Sequence, residues 1–185
     1  MELRELYNYK MNPAELDEWM SVADKVRSLC EKLGLVDSYG VMVKNAIASS
    51  IFCDHRAGFC TKIGYYYIEE GDRDKIYLKC QSRDSDEMAF HVMHQKILRT
   101  IGRKLEMEKR EELEKNWTGN NNYDSRKYWF EYVLGSLNKV FAGPLVEQSI
   151  LQYTGYMNRW FDDEHWQFDR EKMAFVEVSD SKEHD

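Results

Sequence analysis

A run of aromatic and β-branched residues near the middle of the chain constrains the fold most. Residues 63–70 hold three Tyr and two Ile, residues 75–82 contain the run Ile76, Tyr77 and Leu78, and the segment EGDRD, residues 70–74, has the composition of a turn. Two such runs joined by a short polar turn predict an antiparallel hairpin over residues 63–82. Strand alternation places Tyr65 and Tyr67 on one face and Tyr66 with Ile68 on the other. We therefore expect one tyrosine face to be buried in the core.

Segments with helical periodicity lie on both sides of this hairpin. Asn12, Pro13 and Glu15 supply an N-cap, a proline for the first turn and a reciprocal glutamate, and the sequence DSDE at 84–87 repeats the cap and the glutamate. After each start, apolar residues recur every three or four positions. Helices are expected at about residues 13–33, 86–115, 125–141 and 145–161.

These elements predict an α+β fold in which a small antiparallel sheet packs against several helices. Residues 35–62 give mixed signals and are expected to be irregular or to form short strands, and a short strand is expected near residues 175–178. A length of 185 residues favours one domain over residues 1–185, with a frayed acidic tail at about 179–185.

The apolar runs are too short to cross a bilayer, which needs about 20 residues, and the N-terminal segment MELRELYNYK lacks a secretory pattern. The four cysteines form no CxxC pair, and their density is below that of disulfide-stapled secreted domains. The sequence therefore predicts a soluble cytoplasmic protein with reduced cysteines.

Negative charge is concentrated at the C-terminal end. The formal net charge is -7, and residues 161–185 hold nine acidic and three basic side chains, a net of -6. A chain with this balance repels phosphate backbones, so nucleic-acid binding is not expected. An electropositive protein partner fits the charge better.

A metal-dependent enzyme is the main catalytic alternative. His91 and His94 are three apart on a predicted helix, so both rings could reach one metal ion, with a further ligand from Cys53, His55, Cys60 or His165. His94 also falls on the apolar stripe, where a hydrogen-bonded core histidine is the ordinary explanation. The sequence has no nucleophile elbow and no phosphate-binding loop, so we expect no cofactor and no enzymatic activity.

Arg126 lies on the face of its helix that otherwise packs, four residues before Phe130. A buried guanidinium needs a carboxylate or several carbonyl partners. Arg126 and the helix-capping Asp124 are therefore expected to have a structural role, the alternative for Arg126 being contact with a partner.

The second tyrosine face and two acidic clusters are the candidate partner surface, because tyrosine is enriched where proteins meet and carboxylates attract a basic partner. The candidate contact residues are Tyr65, Tyr67, Glu69, Glu70, Asp72, Asp162, Asp163 and Glu164.

Four sequence pieces occur in a characteristic order. A tyrosine-rich strand ends in IEEG, residues 68–71; a return strand follows; the loop SRDSDE, residues 82–87, opens a long helix; and YDSRKYWF spans residues 123–130. In this order they resemble the immunity proteins of bacterial polymorphic-toxin systems, in particular the family numbered sixty-three, over roughly residues 65–140. The family has a glutamate-glycine turn, which corresponds here to Glu70-Gly71, and a helix that starts at an aspartate, here Asp84 or Asp86. It also has a later helix start, which corresponds here to Asp124, Arg126, Lys127 and Phe130.

The resemblance implies a small cytoplasmic protein that binds the catalytic domain of a cognate toxin and blocks it. Many such toxins are nucleases with basic clefts, which would suit an acidic inhibitor. A metal-dependent enzyme using His91 and His94, and an adaptor or regulatory module without a toxin, are the alternatives.

Overall fold

The computed structural model describes residues 12–48, 55–72, 75–115, 126–160 and 165–178. They fall into two compact units, Met1–Ile97 and Leu98–Asp185. Helices and two antiparallel sheets make the fold α+β, as the sequence predicts. The expectation of a single domain stays a prediction.

The first unit contains helices and a three-stranded sheet. Its elements in chain order are α1 (Pro13–Lys32), α2 (Leu35–Ala48), β1 (His55–Cys60), β2 (Tyr65–Asp72), β3 (Lys75–Ser82) and α3 (Ser85–Val92). A π-helical segment, Met93–Leu98, follows α3 directly and contains the boundary between the units.

Helix α1 begins at the predicted capping box. The Asn12 side chain accepts a hydrogen bond from the Glu15 N–H at 3.0 Å, and Glu15 accepts from the Asn12 N–H at 3.1 Å. Glu15 also accepts from the Thr61 N–H at 2.9 Å, which ties the helix start to the turn after β1. Gly34 follows the helix with a φ of 66°, as expected for a left-handed C-terminal position.

The expectation of irregular structure or short strands over residues 35–62 is wrong for residues 35–48, which form α2. The helix packs on α1 and buries Leu35 and Val43, and a kink at Tyr39 precedes Gly40. The short apolar run YGVMV fits a strand or a helix equally well, and packing on α1 selects the helix. Later in this stretch, β1 is one of the short strands anticipated there.

The predicted hairpin is confirmed and gains a third strand. The strand order is β1-β2-β3, with both pairs antiparallel, so β2 is central and β1 and β3 are edges. A bulge interrupts the pairing of β2 with β3 between Ile68 and Glu69. One face of the sheet packs on α1 and α3.

The second unit contains three helices and a hairpin. They are α4 (Arg99–Lys115), α5 (Arg126–Val140), α6 (Pro144–Trp160), β4 (Trp166–Asp169) and β5 (Ala174–Glu177). The long helix predicted over residues 86–115 thus corresponds to α3, the π-helical segment and α4 in succession. The strand predicted near residues 175–178 is β5, and its partner β4 was not anticipated.

The core of the second unit is aromatic. Phe130 is 1% exposed, and its ring centroid lies 4.4 Å from that of Trp129 and 4.5 Å from that of Tyr153. Gly102 lets α4 approach α5 closely, because a Cβ there would lie 3.1 Å from the Tyr132 ring. Asn158 joins α6 to β4 by accepting from the Trp166 N–H at 2.6 Å.

Within the part of the chain that is described, no helix combines the length and the apolar character needed to cross a membrane.

Candidate functional site

The two faces of the three-stranded sheet have different environments. Tyr66 and Ile68 point to the helices and are 5% and 1% exposed. Tyr65 and Tyr67 lie on the opposite face and are half-buried. The predicted division of the tyrosines between the core and a second face is therefore confirmed.

The second face, which we call the outer face, carries Tyr65, Tyr67, Leu78, Gln81 and Arg83. Gln81 lies opposite Tyr67 in the pairing of β2 with β3, and Leu78 lies opposite Glu69. The Arg83 guanidinium stacks over the Tyr65 ring at 4.7 Å from its centroid. Leu78 is 55% exposed, which is high for a leucine in a strand. The outer face thus joins aromatic groups of the central strand β2 to an apolar and a cationic group on and after the edge strand β3.

The acidic residues predicted beside the tyrosines occupy the far end of β2. Glu69, Glu70 and Asp72 pair through their backbones with Leu78, Tyr77 and Lys75. Their side chains are outside the described part of the structure, so their role as contacts stays a prediction. The structure does bring their backbone positions onto the same strand as Tyr65 and Tyr67.

The remaining predicted site residues belong to the sequence of the second unit. Asp124, Asp162, Asp163 and Glu164 lie outside the described residues. Arg126 is the first residue of α5 and is half-buried. Its structural role stays a prediction.

A polar cluster that the sequence did not predict lies between β3 and α3. The Ser82 hydroxyl is buried, donates to Glu87 Oε2 at 2.5 Å and accepts from the Asp84 N–H at 3.0 Å. The expected capping box at 84–87 is therefore not formed, because the Asp84 N–H donates to Ser82 rather than to Glu87. Asp84 still caps the helix by accepting from the Asp86 N–H at 2.7 Å.

The two histidines of the metal hypothesis lie in the same region. His91 Nε2 is 3.8 Å from Glu87 Oε1, and its Nδ1 is buried without a hydrogen-bond partner among the described residues. His94 is 8% exposed, and its ring centroid is 5.7 Å from that of Phe90. Over the described ranges, no three His, Cys, Asp or Glu side chains are placed to hold a metal ion. Cys53 and the His55 side chain fall outside those ranges.

Lys96 and Cys80 are two further titratable groups of this unit, the first buried and the second half-buried. Lys96 lies in the π-helical segment and is 5% exposed, and burial lowers the pKa of its ammonium to about 8. Burial, followed by the charge of Glu87, raises the pKa of the Cys80 thiol to about 11. Cys80 is therefore a thiol at neutral pH, which does not suit a nucleophile.

Lowering the pH below about 6.5 is expected to destabilise the first unit through His91. Burial lowers the pKa of this imidazole, and the Glu87 carboxylate opposes part of the shift. Because the folded pKa lies below the unfolded one, the unfolded chain binds the proton more tightly. The free energy of unfolding therefore falls as the pH drops from about 6.5 towards the folded pKa.

Denaturant unfolding between about pH 8 and pH 5 tests this pH dependence. In a His91→Gln variant the free energy of unfolding should fall less as the pH drops. In His165→Gln, a change at an exposed position, it should fall as in the natural protein. Identical curves for His91→Gln and the natural protein would contradict the expectation.

The chain was compared with protein-family models, with curated proteins and with solved structures, and none of them matches. The resemblance to immunity proteins therefore rests on the residues quoted above.

Proposed function

We propose that the chain is an immunity protein that binds a cognate bacterial toxin domain and blocks it by stoichiometric inhibition. The observation that carries the proposal is the outer face, where half-buried tyrosines lie beside an exposed leucine on an edge strand. The sequence resemblance over roughly residues 65–140 covers this face.

The aromatic residues of the outer face suit a protein partner. Tyr65 is held by the Arg83 guanidinium, so less side-chain freedom is lost when a partner covers it. Tyrosine and arginine are also the residue types that most often dominate binding energy at interfaces. Leu78 adds exposed apolar area that a partner would remove from water.

The edge position of β3 offers a second means of attachment. A strand at the edge of a sheet has backbone groups on one side that its own sheet does not pair. An extended segment of the partner can pair with that side, while the outer face supplies side-chain specificity.

The charge of the chain supports a basic partner. Glu69, Glu70 and Asp72 follow the tyrosines along β2, and the net charge is -7. Carboxylates at a binding surface mainly raise the association rate, and salt weakens that effect. A toxin domain with a basic cleft, as in a nuclease, fits this charge, and Asp162, Asp163 and Glu164 are further candidate contacts.

The direct test is co-expression with the toxin domain encoded immediately upstream. We expect the two chains to co-purify, the toxin to be inactive in the complex, and growth to be rescued. Failure to associate at modest salt, together with no rescue of growth, would refute the proposal. A stable complex with a protein that is not a toxin would support the adaptor alternative instead.

Variants of the outer face test where the partner binds. Tyr65→Ala and Leu78→Ala are each expected to weaken binding about tenfold or more, or about 1.4 kcal/mol, by calorimetry. Leu151→Ala is the matched control, because Leu151 is 71% exposed on α6. Equal affinities for Leu78→Ala and Leu151→Ala would exclude the outer face as the binding surface.

A further inference from the structure

A groove of about 290 Å³ lies in the second unit, between α5 and the turn of the β4–β5 hairpin. Its lining consists of one face of α5 and one residue of the turn: Tyr128, Glu131, Tyr132, Gly135, Ser136, Lys139 and Met173. This volume is near the lower limit of ligand sites, which are commonly about 300 Å³ or larger.

The groove exists because two small residues occupy the middle of the lining. Gly135 and Ser136 lie on the helix face between Tyr132 and Lys139, so the helix surface is indented there. A Cβ at Gly135 would lie 3.6 Å from the Met173 Cβ, which shows how near the turn approaches.

The walls of the groove are held in place by hydrogen bonds and ion pairs. The Phe175 N–H donates to Glu131 Oε1 at 2.7 Å, which joins β5 to α5. The Asp169 carboxylate accepts from the Glu171 and Lys172 N–H groups at 2.9 and 3.0 Å. The space is therefore formed before any ligand arrives, which reduces the cost of binding.

The groove has a lysine near each end. Glu131 is paired with Lys127 and also accepts the Phe175 N–H, so its negative charge is compensated. Lys139 is exposed, and no carboxylate of the described residues forms a salt bridge with it. At the other end, the Lys109 ammonium lies 5.6 Å from the centroid of the Tyr128 ring.

We propose that this groove binds a small organic anion with a flat apolar body. The tyrosine rings and Met173 would contact the apolar body, Lys139 would pair with the anionic group, and the Ser136 hydroxyl would donate a hydrogen bond. The groove is of a size that fits an aromatic carboxylate or sulfonate of one or two rings. The site does not depend on the proposed toxin partner, because none of its lining residues is among the proposed partner contacts.

Naphthalene-2-sulfonate and the uncharged naphthalene-2-methanol are suitable probes, followed by the amide NMR shifts of the full chain. The sulfonate is expected to shift the amides of Gly135, Ser136 and Met173 saturably, and the alcohol to bind about tenfold more weakly. Absence of saturable shifts at these amides, or shifts only elsewhere in the chain, would overturn the proposal.

Variants separate the contribution of the lysine from that of the space that holds the apolar body. Lys139→Gln should reduce sulfonate affinity to that of the alcohol, and Ser136→Leu should abolish binding of both by filling the groove. Lys104→Gln is the control, because Lys104 lies on α4 and pairs with Glu108 at 3.7 Å. If Ser136→Leu does not fold, Lys139→Gln still tests the site, because it changes an exposed side chain and should leave the fold intact. Unaltered sulfonate affinity in Lys139→Gln would overturn the proposal.

Discussion

Replacing Lys96 by methionine is expected to raise the free energy of unfolding by about 3 kcal/mol at neutral pH. Lys96 is 5% exposed, and burial lowers its pKa from 10.5 to about 8. At pH 7 the folded chain must therefore bury a charged ammonium, and each unit of pKa shift corresponds to about 1.4 kcal/mol. Methionine has a similar length and no charge, so it fills the same space without that cost.

The pH dependence identifies the cause of this gain. The folded pKa of Lys96 is below its unfolded value, so the natural protein gains stability as the pH rises from about 8 to about 10.5. The difference between Lys96→Met and the natural protein should therefore shrink over that window and stay constant below it. Denaturant midpoints at several pH values measure it.

Lys104→Met is the matched control for Lys96→Met. The Lys104 side chain is 49% exposed, so its replacement should change stability by less than about 0.5 kcal/mol. A destabilised Lys96→Met variant would contradict the expectation and would indicate that the ammonium makes an interaction worth more than its burial costs.

Replacing Phe130 by alanine is expected to lower the free energy of unfolding by about 3–5 kcal/mol. The ring is almost fully buried and contacts Trp129 and Tyr153, so its removal leaves a cavity and also breaks ring contacts. Phe130→Leu should cost less because it keeps most of the buried volume. Thermal and denaturant unfolding followed by tryptophan fluorescence gives both values.

Phe141→Ala is the control for Phe130→Ala, because Phe141 is only half-buried after the end of α5. If Phe141→Ala lowers the free energy of unfolding as much as Phe130→Ala does, loss of packing in the aromatic core is not the cause of the Phe130→Ala effect. Lys96 and Phe130 lie in different units, so the two variants also test the predicted single domain. One transition shifted by both changes would support one cooperative domain.

Local signals in the sequence predicted the start of α1 and the two faces of the hairpin. Asn12 and Glu15 are close in sequence, and the alternation of Tyr65 to Ile68 needs only the geometry of one strand. Such features depend on neighbouring residues alone.

Features that depend on distant contacts were not predictable. Five of the six residues of the π-helical segment are buried. A regular α-helix, with 3.6 residues per turn, would bury a narrower stripe of side chains and would leave Lys96 in solvent. The role of Glu87 was also misassigned, because the Asp84 N–H donates to Ser82 rather than to Glu87. The groove depends on the approach of Met173 to Gly135, 38 residues earlier in the chain, for which the sequence has no signal.

The bulge in the sheet makes β3 one residue longer than its pairing requires. Ile68 lies opposite Cys80 and Glu69 opposite Leu78, so Lys79 is the extra residue. A related chain that lacked this residue would keep each of these pairs, and Leu78 would still face outward. Divergence in chain length at this point would therefore leave the outer face intact, while a gap of one residue elsewhere in β3 would exchange its two faces beyond the gap.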